Sequence, residues 1–192
     1  MNVTAVVLLG ATALAGLAIW LLVERRSHST PAFVALAGVP VLLLGAAALF
    51  GVAGGESGAT LGQVANVTGV AAAASTGGLV ATAMLRLADR RDRHDRLDLA
   101  ADHVNDAPAV ADVSDPRTLR GGASIGILER IAVATTLLAG WPEGLALILG
   151  IKGLGRYPEL NRPPASERFI IGTLGSVLWA VATAGVVHTL HT

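Results

Sequence analysis

Long stretches without any charged residue constrain this chain more than any other feature. Residues 3–23, 31–54 and 61–85 contain no Asp, Glu, Lys or Arg. Each stretch is long enough to cross the roughly 30 Å hydrocarbon core of a bilayer as an α-helix. Charged residues make up only 15% of the chain and the mean hydropathy is +0.62, whereas about a quarter of a soluble domain is charged. The sequence therefore predicts an all-α protein with a bilayer as its solvent.

Three further apolar stretches occupy residues 124–140, 143–155 and 167–190. The stretch at 143–155 covers only about 20 Å at 1.5 Å per residue, so a re-entrant hairpin is an alternative to a full crossing there. The first stretch, at 3–23, is followed by Arg25 and Arg26 and has no basic residue before it. We interpret it as a membrane anchor, because a cleaved signal peptide carries its basic residues in front.

The positions of the basic residues decide between these topologies. If all six stretches cross, one face collects Arg25, Arg26, Arg86, Arg90, Arg91, Arg93, Arg96, Arg117, Arg120, Lys152, Arg156, Arg162 and Arg168. Arg130 lies just inside that face, and the outer turns hold only the acids Glu56 and Glu143. Basic residues accumulate on the cytoplasmic side of membrane proteins. We therefore predict a polytopic transmembrane helical bundle of six spans in the cytoplasmic (inner) membrane, with the N-terminus and the C-terminus outside.

This topology divides the chain into three parts. Residues 1–85 form three transmembrane helices, residues 86–120 a charged cytoplasmic helix and linker, and residues 121–192 three more transmembrane helices. In the middle part Asp89 and Arg93 lie four residues apart, a spacing that supports a helix continuing to about Val104. Acidic and basic residues alternate there without aromatic residues, which argues against a nucleic-acid-binding arm.

A cluster of charges around the last three spans is the most specific feature. It consists of Glu129, Arg130, Lys152, Arg156, Glu159, Glu167 and Arg168. Glu129 and Arg130 lie inside an apolar run, where an ionised side chain is costly unless it is paired or solvated. The cluster is interpreted either as ion pairs that join cytoplasmic helix ends, or as a basic inner-leaflet pocket. Such a pocket would hold an anionic lipid headgroup or gate a solute.

Small residues recur at helical spacing in two of the spans. Gly69, Ala73 and Gly77 repeat every fourth residue in the third stretch, and Gly172 and Ser176 do so in the last. Small residues allow membrane helices to approach closely, within one chain or in a homo-oligomer. We interpret both sets as helix-packing residues, with a polar lining as the alternative for the last span.

Part of the pattern carries a resemblance. Residues 126–130 read Gly-Ile-Leu-Glu-Arg and residues 167–173 read Glu-Arg-Phe-Ile-Ile-Gly-Thr, with Lys152, Arg156 and Glu159 between them. Over about residues 121–190, this pattern resembles the C-terminal region of an uncharacterised family of small prokaryotic integral membrane proteins. The resemblance implies a site at the charged cluster and implies no particular activity. Gly150, Gly153 and Gly155 depart from the family pattern and imply a looser fifth helix.

The residue types in this chain limit the metal sites, cofactors and reactions that we expect. The chain has no cysteine, and its histidines do not form a set that would ligate a metal. We find no phosphate-binding loop and no nucleophile motif, and therefore expect no catalytic residues, no cofactor and no metal. The first hypothesis is a non-enzymatic scaffold or assembly subunit whose partners are membrane lipids and, in a homo-oligomer, further copies of itself. The alternative is a small oligomeric permease or channel lined by Glu129, Arg130 and Lys152.

Overall fold

The described residues of the computed structural model form six α-helices and no strand. The description covers residues 1–25, 29–55, 57–102, 122–157 and 163–191, with side chains at all of these except 24, 25, 92–102 and 163–165. The helices are α1 (Asn2–Arg25), α2 (Thr30–Gly54), α3 (Ala59–Asp102), α4 (Gly122–Leu138), α5 (Gly144–Gly155) and α6 (Pro163–His188). The prediction of an all-α fold is therefore confirmed.

Four of these helices contain segments long and apolar enough to cross a membrane. The segments are Asn2–Val23, Thr30–Gly54, Ala59–Arg91 and Ser166–His188. They coincide with four of the six predicted spans. The other two predicted spans correspond to α4, with 17 residues, and α5, with 12. Helix α3 continues without a break to Asp102, as the four-residue spacing of its Asp and Arg residues indicated.

Helix α3 is the central element of the bundle. It packs against α1, α2, α4 and α6, and α5 packs against α4. Its closest approach to α6 occurs at small residues: a Cβ atom added to Gly69 would lie 2.3 Å from Cγ2 of Val187, and one added to Gly175 would lie 2.7 Å from Sδ of Met84. Residues from both halves of the sequence therefore share one core.

The buried and exposed surfaces have the distribution expected in lipid. Buried apolar positions are rich in alanine, including Ala65, Ala73 and Ala180, each 0% exposed. Large aliphatic side chains instead cover the outside, as at Leu42 and Leu154, both 76% exposed. In a bilayer large apolar side chains gain nothing by leaving the lipid, so helices associate through small residues that allow close van der Waals contact.

The contacts define two ends of the bundle. At one end the Asn2 side chain donates a hydrogen bond to the carbonyl of Gly55 (2.9 Å), and the Ser57 hydroxyl donates one to the carbonyl of Leu190 (2.6 Å). We call this the Asn66 end, because Asn66 lies 3.0 Å from the His191 ring there.

The opposite end lies about 30 Å further along α3, at the level of Arg86. Here Arg168 forms an ion pair with Asp89 (2.7 Å), and the guanidinium of Arg86 lies 3.9 Å from the centroid of the Phe33 ring. We call this the basic end. The distance between the two ends matches the thickness of a bilayer core.

The contact between Gly69 and Val187 can be tested by a single methyl group. We expect Gly69→Ala to lower the free energy of unfolding by about 1–3 kcal/mol, because Val187 is fully buried and its branched side chain has little freedom to move. Reversible unfolding in mixed micelles, followed by circular dichroism, measures this change.

The control is Gly45→Ala, since a Cβ atom at Gly45 would meet nothing within 4 Å. This variant should be as stable as the parent, or more stable by up to about 1 kcal/mol through helix propensity. Equal stability of the two variants would contradict the proposed contact.

Candidate functional site

Arg130 is a cation buried between three helices. It belongs to α4, and only 7% of it is exposed. Its Nε donates a hydrogen bond to the carbonyl of Ala74 on α3, and its Nη1 donates one to the hydroxyl of Ser176 on α6, both at 3.3 Å. These contacts satisfy part of the guanidinium, which carries five donor hydrogens.

Three glycines make room for this side chain. A Cβ atom at Gly77 would lie 2.3 Å from Cδ of Arg130, one at Gly126 would lie 3.3 Å from Nη1, and one at Gly78 would lie 3.4 Å from Nη2. At Gly77 the added atom would overlap the arginine stem. Gly77 therefore does more than bring two helices together, because its missing side chain provides space for Arg130.

An indole and a hydroxyl group close the site towards the Asn66 end. Trp179 donates a hydrogen bond from Nε1 to Oγ1 of Thr76 (2.6 Å), and Thr76 donates to the carbonyl of Ala72 (2.5 Å). Trp179 is 6% exposed and Thr76 is 0% exposed. Both polar groups are buried and have hydrogen-bond partners within the protein.

An ion pair between Glu129 and Lys152 joins α4 to α5. The two side chains are 19% and 18% exposed, so the pair is shielded from water. Lys152 also lies 6.0 Å from the centroid of the Phe169 ring on α6, within the range of a cation–π contact. This small group of residues positions the end of the short helix α5 against the rest of the bundle.

Arg130, Glu129 and Lys152 line one cleft, whose volume is about 690 Å³. The cleft lies between α1 and α4, which both pack on α3 but, within the described residues, do not pack on each other. Its walls are mostly apolar, and its polar lining consists of Ser75, Thr82, Arg86, Glu129, Arg130, Lys152 and Ser176.

The remaining predicted site residues are more dispersed. Arg168 pairs with Asp89, and their side chains are 54% and 36% exposed, respectively. Glu167 is also exposed. Arg156 is the C-cap of α5, and its N–H bonds to the carbonyl of Gly153 (3.3 Å). Glu159 lies outside the described residues. The cleft thus includes Glu129, Arg130 and Lys152 but neither Arg156 nor Arg168.

The packing residues have several different neighbours. Gly69 lies against Val187, and a Cβ atom at Gly172 would lie 3.5 Å from Leu85. Ala73 belongs to a buried cluster with Val133, Ala134 and Ala180. Ser176 is a hydrogen-bond acceptor for Arg130, which corresponds to the polar alternative for the last span.

Sequence reasoning missed the cleft wall on α3. Ala71, Ser75, Gly78 and Thr82 line the cleft, and they follow steps of three and four residues. This second face of small residues was visible as a pattern, but it lies next to the Gly69 and Gly77 face. Nothing in the spacing separates a packing face from a cavity wall.

A second cavity of about 520 Å³ lies at the Asn66 end. It is lined by residues that include Asn66, Gly140 and His188. Between the two cavities lies a layer of Ala73, Val133, Ala134 and Ala180, all 0–1% exposed. The described residues therefore provide no open path from one cavity to the other.

Comparison with known proteins finds no match: no family model, no curated protein and no solved structure is similar to this chain. The resemblance of residues 121–190 to an uncharacterised membrane protein family stays a prediction. Any functional conclusion has to come from the geometry of the cleft.

The two ion pairs at the basic end should differ in strength because they differ in burial. For Glu129→Gln combined with Lys152→Met, we expect a coupling energy of about 1–3 kcal/mol, since each single change leaves a shielded charge without its partner. A double-mutant cycle of unfolding free energies in micelles measures this coupling.

The matched control is the cycle of Asp89→Asn with Arg168→Gln. That pair is half-exposed, and its coupling should be below about 1 kcal/mol. A weaker coupling for Glu129 and Lys152 than for this exposed pair would show that the first pair does not hold α5 in place.

Proposed function

We propose that this chain is a non-enzymatic multi-pass protein of the cytoplasmic membrane, a scaffold or assembly subunit, which binds an anionic lipid in the cleft between α1 and α4. The observation that supports the proposal is the lining of this cleft. Its walls are mostly apolar, and among the described residues its charged side chains are three bases, Arg86, Arg130 and Lys152, with one acid, Glu129. An apolar cleft with an excess of positive charge suits an amphiphile with a negative head.

The neutralisation of Lys152 by Glu129 leaves the positive charge at two levels of the cleft. Arg86 lies at the basic end, and Arg130 lies deeper, beside Gly77 and Gly78. A lipid headgroup at the membrane surface meets Arg86 first. The gap between α1 and α4 would allow a lipid to enter sideways from the bilayer.

Six crossings are compatible with the path of the chain. Gly140, just after α4, lines the cavity at the Asn66 end, whereas Lys152, near the end of α5, reaches Glu129 on the other side. Leu147, Ile151 and Leu154 of α5 are 58–76% exposed and would face lipid. A span of 12 residues is shorter than the bilayer core, and local thinning of the bilayer would accommodate it.

The orientation follows from the distribution of basic residues. Arg86, Arg90, Arg91, Lys152 and Arg168 lie towards the basic end, which we assign to the cytoplasm. The Asn66 end then faces outside, together with Asn2 and Leu190.

A small permease is less well supported than a lipid-binding protein. Solute movement needs a polar path through the bundle, and the two cavities are separated by the buried layer of Ala73, Val133, Ala134 and Ala180. A lipid that enters sideways needs only the cleft itself.

Cysteine labelling tests the six-span topology, because the chain has no cysteine of its own. Thr60→Cys and Glu143→Cys should react with a membrane-impermeant maleimide in right-side-out spheroplasts. Tyr157→Cys and Glu167→Cys should react only after permeabilisation. All four positions are exposed.

The cysteine-free parent is the control and should remain unlabelled. Labelling of Tyr157→Cys and Glu167→Cys in intact spheroplasts would mean that α5 re-enters from the outside without crossing, and would reject six spans.

Native mass spectrometry from nanodiscs tests lipid binding and reports the number of subunits at the same time. In a mixture of zwitterionic and anionic diacyl lipids, the protein should retain anionic lipid preferentially. Arg86→Gln should reduce that retention several-fold, because the variant loses the cationic group that a headgroup at the membrane surface meets first.

Arg168→Gln removes one positive charge outside the cleft, as Arg86→Gln does inside it, and should change retention little. Retention of zwitterionic and anionic lipid in proportion to their abundance, or equal losses in both variants, would reject the proposed site.

A further inference from the structure

Arg130 lies deeper in the bundle than a headgroup normally reaches. It contacts α3 at Gly77 and Gly78, and Arg86 follows Gly78 by eight residues, or about 12 Å along the helix. A cation at this depth is costly unless it has partners, since a bilayer core offers no water to solvate it. Its partners therefore indicate what the site is built to hold.

The protein itself satisfies only part of the Arg130 guanidinium. Of its three nitrogens, Nε and Nη1 donate hydrogen bonds at 3.3 Å, and Nη2 donates none to any described residue. The neighbouring Glu129 attracts it electrostatically but forms its ion pair with Lys152. The side chain is 93% buried yet lines the cleft. The buried Arg130 guanidinium thus lines the mostly apolar cleft and keeps N–H groups that donate to no described residue.

The geometry of the free donors selects a compact oxyanion. A guanidinium presents its N–H groups as a planar fork that matches a carboxylate or phosphate. Gly78 and Gly126 lie against the guanidinium, at 3.4 Å from Nη2 and 3.3 Å from Nη1 to an added Cβ. The fork therefore keeps donor hydrogens for an anion only on the side where Arg130 lines the cleft.

The apolar lining of the cleft suits a hydrocarbon chain. Leu17, Trp20 and Ile127 provide apolar walls for that chain. A diacyl lipid drawn to this depth would also bury its ester-linked glycerol, whose polar groups would lose their water.

We infer that Arg130 binds the terminal carboxylate or phosphate of a single-chain anionic amphiphile, which enters the cleft between α1 and α4 sideways from the bilayer. The inference rests on the proposed function, because it needs the cleft to open into a bilayer. Two sources share this chemistry: a fatty acid carries the carboxylate, and a lysophosphatidic acid carries the phosphate.

Quenching of tryptophan fluorescence tests this inference, because Trp20 lines the cleft whereas Trp141 follows the turn after α4 at the other end. The protein is placed in zwitterionic nanodiscs and titrated with dibromostearic acid, with a dibromostearoyl lysophosphatidic acid, and with dibromostearyl alcohol. We expect saturable quenching by one or both acids. The alcohol should bind about ten- to a hundredfold more weakly, the range that accompanies loss of a charged hydrogen bond.

Variants separate the role of Arg130 from a general effect on folding. Arg130→Gln should weaken acid binding about tenfold or more and leave the weak binding of the alcohol unchanged. Gly78→Leu keeps the charge but fills the space beside Nη2, and it should also weaken acid binding. Its matched control, Gly45→Leu, lies where an added Cβ meets nothing within 4 Å, and it should bind as the parent does. Trp20→Phe should reduce the saturable quenching, and Trp179, which lies beside Gly77 and Arg130, should account for the remainder.

Each outcome has a defined meaning. Binding of only one acid identifies which headgroup the site takes. Equal affinity for acid and alcohol, or unchanged affinity in both Arg130→Gln and Gly78→Leu, would overturn the inference. Retention of anionic diacyl lipid without saturable binding of either acid would overturn the inference and leave the proposed function in place. Absence of both would reject the two together.

Discussion

The burial of one guanidinium determines much of how this bundle is assembled. Arg130 extends from α4 into the contact between α3 and α6, where it bonds to the carbonyl of Ala74 and the hydroxyl of Ser176. The arginine stem fits because Gly77 has no side chain of its own, and Gly78 and Gly126 lie against the guanidinium. The distances between α3, α4 and α6 must therefore suit both close helix packing and the hydrogen bonds that stabilise the buried Arg130. Since water is absent at this depth, the protein supplies the hydrogen-bond acceptors itself.

The remainder of the assembly follows from α3 as the common partner of four helices. Its small residues face α6 at Gly69 and face the cleft at Gly78, so one helix offers a packing face and a cavity wall side by side. Large side chains such as Leu42 and Leu49 point outwards instead. A soluble bundle instead buries its large apolar side chains and exposes polar ones. In lipid the surroundings are already apolar, so close van der Waals contact between helices becomes the main source of stability.

The charged groups act at different depths and have different effects. Asp89 and Arg168 are half-exposed, so water and salt weaken their attraction. Glu129 and Lys152 are shielded and connect α5, which otherwise packs on α4. Glu129 is the only acid among the described residues that line the cleft, and Lys152 pairs with it. The bases Arg86 and Arg130 then give the described part of the cleft its positive charge.

The sequence by itself indicated a lipid environment, the positions of the long helices and the distribution of charge along the chain. Uncharged stretches of more than 20 residues can satisfy their backbone in lipid only as helices, so four long spans and the extension of α3 were predictable from local composition. The two shorter stretches, α4 and α5, were assigned as crossings by the positions of basic residues, and that assignment stays a prediction.

Only the tertiary structure decided which charges meet and which small residues pack. Glu129 and Arg130 are adjacent in sequence but point to different partners, Lys152 on α5 and Ser176 on α6. Gly77 looked like a packing residue, and it makes room for an arginine. Spacing along one helix defines a face, whereas the identity of the neighbour across that face depends on how separate helices are placed. The cleft between α1 and α4 exists because both pack on α3 without touching each other, and no local pattern of residues encodes that gap.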